Sequence, residues 1–221
     1  LFLVSVASDS GTDYRVFKLD GPPVQLSEIG TVTGSFYSTP PNAKQKGAGI
    51  PLNTGDTRIQ QALFRDGNLW FAQGTGCSIG GANVSCVRVE NFAVTSSSAS
   101  LSLEKTYGIS NQFIWNPAIA VNKNGDAVVS FQKSSGKTFL SSAVNSKPAG
   151  AANFGNVVTI KAGNAHYQIT DGLGRNRTGD YCGAQVDPAD DTTFWVAAEY
   201  GDKINGISKI VWGTTVAHVA P

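Results

Sequence analysis

The sequence predicts an all-β chain that forms part of a β-propeller. Three observations support this: a strand–turn–strand text that comes round four times, a composition suited to short strands, and tight-turn signals at matching places. The text Leu63-Phe64-Arg65-Asp66-Gly67-Asn68-Leu69-Trp70-Phe71-Ala72 recurs over residues 118–132, around Asn122-Lys123-Asn124-Gly125-Asp126. It recurs again over residues 184–200, around Asp187-Pro188-Ala189-Asp190-Asp191. A fourth copy, Leu1-Phe2-Leu3-Val4-Ser5-Val6, opens the chain without its first half. Phe2, Trp70, Val128 and Trp195 then align at steps of roughly 58 to 68 residues, a spacing expected of strand-rich repeat units. Hydrophobic residues make up 41% and charged residues 15% of the 221, with 25 glycines, which favours short strands and tight turns over helices.

Each element follows from that frame. Four-stranded antiparallel blades are expected over residues 54–105, 112–162 and 177–221, with the outer half of another over 1–30, all in one domain spanning 1–221. In the first full blade, residues 56–63 read as the first strand, 68–74 as a third and 86–94 as a fourth. The next reads as 113–121, 127–132 and 138–144, and the last as 181–186, 193–200 and 208–215. Asp66-Gly67 and Asn124-Gly125 are hairpin turns, because Asn and Gly tolerate positive φ. Units of this length give about three and a half blades, part of a six- to seven-bladed ring. The strands of residues 207–219 are expected to complete the last blade. The remaining blades would come from a missing N-terminal segment or another chain, since an open arc leaves unpaired edges and apolar faces. A chain beginning at Leu1 with no methionine is expected to be processed or truncated. Long connectors at residues 30–55, 147–155 and 163–174 are placed on one face of the disc.

Charge narrows the function classes. The net charge is +1 and no block of like charge exceeds two residues, so neither nucleic acid nor an anionic membrane is expected as partner. No apolar run approaches the roughly 18 residues of a membrane-spanning helix. Cys77 closes one predicted strand and Cys86 opens the next, positions that permit a disulfide across a hairpin mouth; two half-buried thiols are the alternative. A disulfide would fit a secreted or cell-surface location. Cys182 is left odd.

Thr54-Gly55-Asp56 recurs as Thr178-Gly179-Asp180, each at the start of an innermost strand. Asp56 and Asp180 are therefore expected near the mouth of the central channel, with Arg58, Arg175, Arg177 and Tyr181 close by and Trp115 and Asn116 at the matching place between them. Such a set suits a ligand bearing a carboxylate or many hydroxyls: arginine forks grip carboxylates, and aromatic faces pack on sugar rings. The alternative is structural, with each aspartate fastening its own turn and the arginine neutralising it. His166 and His218 have no metal-ligand spacing. No cofactor is expected, apart from a structural calcium ion at Asp56, Asp180 or the Asp187/Asp190/Asp191 turn. No nucleophile elbow, P-loop or Cys–His arrangement is present. Asp190-Asp191 reads as a solvated hairpin tip, Glu199-Tyr200 as structural and far from the axis, and Trp70, Phe131 and Trp195 as core.

The text from Arg177-Thr178-Gly179-Asp180-Tyr181 through Asp187-Pro188 to Phe194-Trp195 and Glu199-Tyr200 resembles secreted bacterial propellers of the sialidase-like, Asp-box-related superfamily. The stretch Gly55-Asp56-Thr57-Arg58-Ile59-Gln60-Gln61-Ala62 through Asp66-Gly67-Asn68-Leu69-Trp70 resembles an earlier blade of the same group. The resemblance implies that Arg58 and Arg177 stand for two of the arginines that hold a sugar carboxylate, and Tyr181 or Asp180 for reacting groups. The family's Ser-x-Asp-x-Gly-x-Thr-Trp hairpin is absent, and no glutamate falls on an inner strand to activate Tyr181. The expectation is therefore an extracellular binding or adhesion module for glycan or protein, acting through Asp56, Arg58, Trp115, Asn116, Arg177, Asp180 and Tyr181. The alternatives are a sialidase-type glycoside hydrolase and a structural surface or assembly protein.

Overall fold

Alternating apolar residues and two-residue turns build four antiparallel sheets, one after another along the chain. The computed structural model describes residues 1–47, 49–203 and 210–221. The first sheet holds β1 (Phe2–Val6), β2 (Gly11–Asp20) and β3 (Gln25–Tyr37). A short strand, β4 (Leu52–Asn53), follows in the connector. The second sheet orders β5 (Ile59–Arg65), β6 (Asn68–Ile79), β7 (Ala82–Val94) and β8 (Ala99–Tyr107). The third orders β9 (Phe113–Val121), β10 (Ala127–Ser135), β11 (Thr138–Lys147) and β12 (Val158–Lys161). After a second short strand, β13 (Asn176–Arg177), the fourth holds β14 (Gly183–Val186), β15 (Phe194–Lys203) and β16 (Ile210–Val219). Among the described residues there is no helix, and none long and apolar enough to cross a membrane.

Several expected strands move within their sheets. Asp66 and Gly67, both at positive φ, join β5 to β6 directly, so residues 68–74 form the second strand and 86–94 the third. Gly80 and Gly81, at φ 59° and 80°, form a second tight turn, which extends β6 and β7 beyond their expected ends. The first sheet has three strands rather than an outer half. Among the described residues the fourth also has three, with β16 third. Residues 208 and 209 of the expected last strand lie outside the described residues.

The faces of these sheets follow one rule. In β6, Leu69 and Phe71 point back into a core with Tyr14, Val16, Val32 and Tyr37 of the first sheet. Trp70 and Ala72 point forward into a core with Ile119, Val129 and Phe131 of the third. In β10, Ala127, Val129 and Phe131 point back and Val128 points forward, onto Phe194 and Val196 of the fourth sheet. This is the two-residue period of a strand buried on both faces. Among the described residues the succession does not close: no strand pairing joins the fourth sheet to the first.

Two polar devices tie the sheets together. Between the first and second, Arg88 donates to Ser35 O (2.6 Å), Phe36 O (2.8 Å) and Thr106 Oγ1 (2.8 Å), beside the fully buried Glu90. At the turns closing the innermost hairpins, Arg65 donates to both oxygens of Asp191 (2.8 and 2.5 Å), and Lys123 reaches Asp190 O (2.8 Å). Asp190 itself accepts from the backbone of Thr192 and Thr193 and from the Thr193 hydroxyl, which holds its carboxyl far below the usual range. The Asp190-Asp191 tip is thus a brace between sheets, not a solvated end.

Candidate functional site

The site begins with a parallel pairing. β4 and β13 join Leu52 to Asn176 and Asn53 to Arg177, although they belong to different connectors. Chain continuity then carries Thr54-Gly55-Asp56 and Thr178-Gly179-Asp180 alongside one another. Gly55 and Gly179 sit at φ 75° and 81°, a left-handed conformation that only glycine adopts freely. The repeated triplet is therefore a pair of equivalent turns at one end of the innermost strands.

Asn116 lies between the two turns. Its amide donates to Gly179 O (3.3 Å) and Gln132 Oε1 (3.2 Å), and its oxygen accepts from Gln60 Nε2 (2.9 Å). Gln60 Nε2 also reaches Asp180 O (2.9 Å). The Trp115 indole donates to Thr178 Oγ1 (3.2 Å), which donates to Gln132 Oε1 (2.7 Å), while Gln132 Nε2 donates to Thr178 O (2.8 Å). Trp115 and Asn116 are buried, and their polar atoms are spent on holding the second turn. The first turn is held more lightly, by Thr54 Oγ1 donating to Pro41 O (3.1 Å) and Gly55 N donating to Asn53 Oδ1 (3.3 Å).

The remaining sequence-predicted residues face outward together. Arg58 donates through its backbone N (2.9 Å) and through Nε (2.9 and 2.8 Å) to Asp56. Arg177 pairs with Asp180. Partial burial pushes the Asp56 carboxyl up, but hydrogen bonds from Arg58 and the charges of Arg58 and Arg177 outweigh it and hold it below the usual range. Tyr181 is 69% exposed. Arg175 pairs instead with Asp171 in its own connector (2.7 Å).

Sequence reasoning missed Glu199. Gly183 pairs with Ala197 across β14 and β15, so continuing that register sets Glu199 opposite Tyr181. A Cβ placed on Gly179 would come within 2.9 Å of Glu199 Oε1, so the carboxyl lies directly against the second turn. Burial raises its pKa to about 7, and its Oε2 has no hydrogen-bond partner. Burial, helped by the Glu199 charge, pushes the Cys182 thiol far up and the Tyr167 phenol to about 12. The expectation of a glutamate remote from the site is corrected. Its only signal in the sequence is a cross-strand register, which depends on the length of the intervening turn.

A larger cleft, about 700 Å³, opens at the opposite ends of β5, β9 and β14. Its one cation, Arg65, is bound bidentately by Asp191 with Asp66 3.7 Å away, and Asp187 there accepts from Ala189 N and Trp195 Nε1, so the turn end is the stronger candidate. Among the described residues no three His, Cys, Asp or Glu side chains gather as a metal site. The oxygens of the Asp187/Asp190/Asp191 turn are engaged by Ala189 N, Trp195 Nε1, Thr192 N, Thr193 and Arg65. Cys77 and Cys86 form a disulfide, with Cα atoms 6.0 Å apart. Cys86 also belongs to a core beneath the connectors, with Ala43, Leu52, Phe113, Trp115, Leu140 and Tyr167. No protein-family model matches the chain, and no curated protein matches it either.

Proposed function

We propose that the four sheets are blades of a β-propeller and that the protein is an extracellular binding or adhesion module. Its ligand is a glycan bearing a carboxylate, taken at the paired turns. The observation that carries this reading is the state of Arg58. It spends only its Nε on Asp56, and its side chain is 77% exposed, leaving the terminal nitrogens pointed at solvent beside Tyr181. A guanidinium fork next to an exposed aromatic ring is the pairing that acidic sugars use. The buried scaffold of Asn116, Gln132 and Trp115 pre-organises the mouth, so little ordering is lost on binding. The disulfide fits an oxidising, extracellular setting.

NMR titration with neutral and carboxylate-bearing oligosaccharides tests the reading. Acidic glycans should shift resonances around Arg58 and Tyr181, and Arg58→Ala and Tyr181→Ala should each weaken binding about tenfold or more. No binding by any acidic glycan, or binding untouched by both variants, would leave the structural surface role as the better account.

Glu199 favours a second reading, a sialidase-type glycoside hydrolase. A carboxyl protonated near neutral pH beside Asp180 and Tyr181 has the character of a general acid. Release of fluorophore from an aryl sialoside, lost in Glu199→Gln, would select it.

A further inference from the structure

A cleft of about 620 Å³ opens between the second and third sheets, away from the paired turns and sharing no residue with them. One wall is the forward face of β8. Lys105 and Tyr107 pair there with Val89 and Val87, and so point with them toward the third sheet. The other wall is the backward face of the third sheet. Asn145 pairs with Val129 in that face, and Lys133 follows Phe131 at the two-residue period of the strand. The connector from β11 to β12 bridges the two walls. Gly155 N donates to Ser146 O (2.8 Å), Lys105 Nζ donates to Asn153 Oδ1 (3.2 Å), and Phe154 stacks on Tyr107 with ring centres 5.1 Å apart.

Charge and hydrogen bonding are both left open in this cleft. Among the described residues it is lined by two lysines, Lys105 and Lys133, and by no carboxylate. Burial holds the Lys133 ammonium below the usual lysine pKa, with no neighbouring charge to offset it. At the junction of the first and second sheets, by contrast, the buried cation Arg88 gives its donors to Ser35, Phe36 and Thr106. Asn145 is 3% exposed and its Oδ1 has no partner; the Tyr107 hydroxyl is buried and has none either. An unpaired buried amide or hydroxyl is costly, and here both belong to side chains that line a space a ligand can enter. Ile109, Phe154 and Val157 add a half-buried apolar wall.

We propose that this cleft is a second ligand site, for a small anion that carries hydroxyl groups: a sugar acid or a sugar phosphate. Lys105 and Lys133 take the anionic group, and Asn145 and Tyr107 take a hydroxyl. Each part of that ligand answers a group on the walls. Ammonium groups only donate, so they call for a negative acceptor, and lysine acts as a point charge that suits carboxylate and phosphate alike. The Asn145 oxygen calls for a donor, and a hydroxyl supplies one while also accepting from Tyr107. The apolar wall suits the C–H face of a sugar ring. The volume lies within the range of about 300 to 1,000 Å³ typical of small-molecule sites. A bare inorganic anion would leave the amide and the apolar wall unused.

NMR titration of the whole chain with glucuronate, glucose 6-phosphate, glucose and inorganic phosphate, at one ionic strength, tests this. Glucuronate or glucose 6-phosphate should shift the resonances of Lys133, Asn145 and Tyr107 saturably, and which of them does so separates carboxylate from phosphate. Lys133→Gln and Asn145→Leu should each weaken that binding about tenfold or more. Lys133→Gln removes a half-buried charge without a partner and should keep the wild-type fold, so it decides alone if Asn145→Leu does not fold. The titration midpoint of Lys133 should rise in the complex, because an anion favours the charged ammonium. Arg58→Ala should leave these shifts unchanged, which keeps this site apart from the paired turns. No saturable shift at Lys133 and Asn145 by any probe at about 10 mM would overturn the proposal. So would affinity unmoved by the variants, glucose binding as tightly as the anions, or inorganic phosphate binding as tightly as glucose 6-phosphate and glucuronate.

Discussion

Glu90 should make the protein less stable as pH rises from acid to neutral, the reverse of the usual carboxylate behaviour. The side chain is fully buried between the first and second sheets, and neither carboxyl oxygen has a hydrogen-bond partner. Burial is the largest influence and raises the pKa from 4.5 to about 7. The Tyr14 hydroxyl opposes it, Glu104 directly across β8 reinforces it, and Arg88, 3.9 Å away, opposes it weakly because its donors serve Ser35, Phe36 and Thr106. A folded-state pKa above the unfolded value means that folding retains a proton the unfolded chain releases. Between pH 4.5 and 7 the unfolded state therefore binds fewer protons, and stability falls. At about 1.4 kcal/mol per pKa unit, the loss assigned to this group is roughly 3 kcal/mol.

Glu90→Gln removes the titration and keeps the shape. Urea unfolding at a series of pH values should find the variant close to wild type near pH 4.5 and more stable by roughly 3 kcal/mol at pH 8. Glu199 titrates in the same window, so wild type and variant both retain its slope, and only their difference reports Glu90. Parallel curves would refute the reasoning and mean that Glu90 is ionised and solvated in the folded protein.

Two further outcomes follow from the candidate site. Gly179→Ala and Gly55→Ala each force a side chain into the left-handed region, at roughly 1 to 2 kcal/mol, but only Gly179 would also press on Glu199, at 2.9 Å against 3.8 Å to the nearest atom at Gly55. Thermal melts should show the larger loss for Gly179→Ala, and equal losses would mean that Glu199 does not lie against that turn. Reducing Cys77–Cys86, which spans a separation of nine residues, should cost about 2 to 3 kcal/mol in urea unfolding. It should also raise exchange of the connector amides around Ala43 and Leu52, whose core contains Cys86; exchange unchanged there would detach the disulfide from the site.

The all-β class and its repeat were legible because each strand alternates and each tight turn carries its own residues. Asp66-Gly67 and the run from Leu69 to Ala72 specify a hairpin without outside help. Strand order was harder. The Gly80-Gly81 turn sits inside what reads as a loop between two cysteines, and only pairing partners show that β6 runs on to Ile79. At the site, the duplicated Thr-Gly-Asp located both turns, because positive φ selects glycine twice. The roles of Trp115 and Asn116 were hidden, since a buried donor and an exposed ligand contact use the same side chains. Trp195 was read as core because its position in the repeat is a core position, whereas in the structure it is 44% exposed, packed against His218 and donating to Asp187.

The two Thr-Gly-Asp turns are alike in sequence and unlike in anchoring, and that asymmetry bears on what the site can do. The second is clamped from beneath by Trp115, Asn116 and Gln132, all buried, so Arg177 and Asp180 are held on a rigid base. The first hangs from Thr54 on Pro41, from Asn53 and from the Asp56–Arg58 turn, with Thr57 just beyond it donating to Asp9 O. Rotation of Arg58 about Asp56 disturbs no buried hydrogen bond, whereas movement of Arg177 strains a loop braced across two sheets. A ligand carboxylate would therefore meet one fixed and one adjustable guanidinium. Under the proposed glycan-binding reading, such a site would fix the ligand's orientation through Arg177 and accommodate its variation through Arg58.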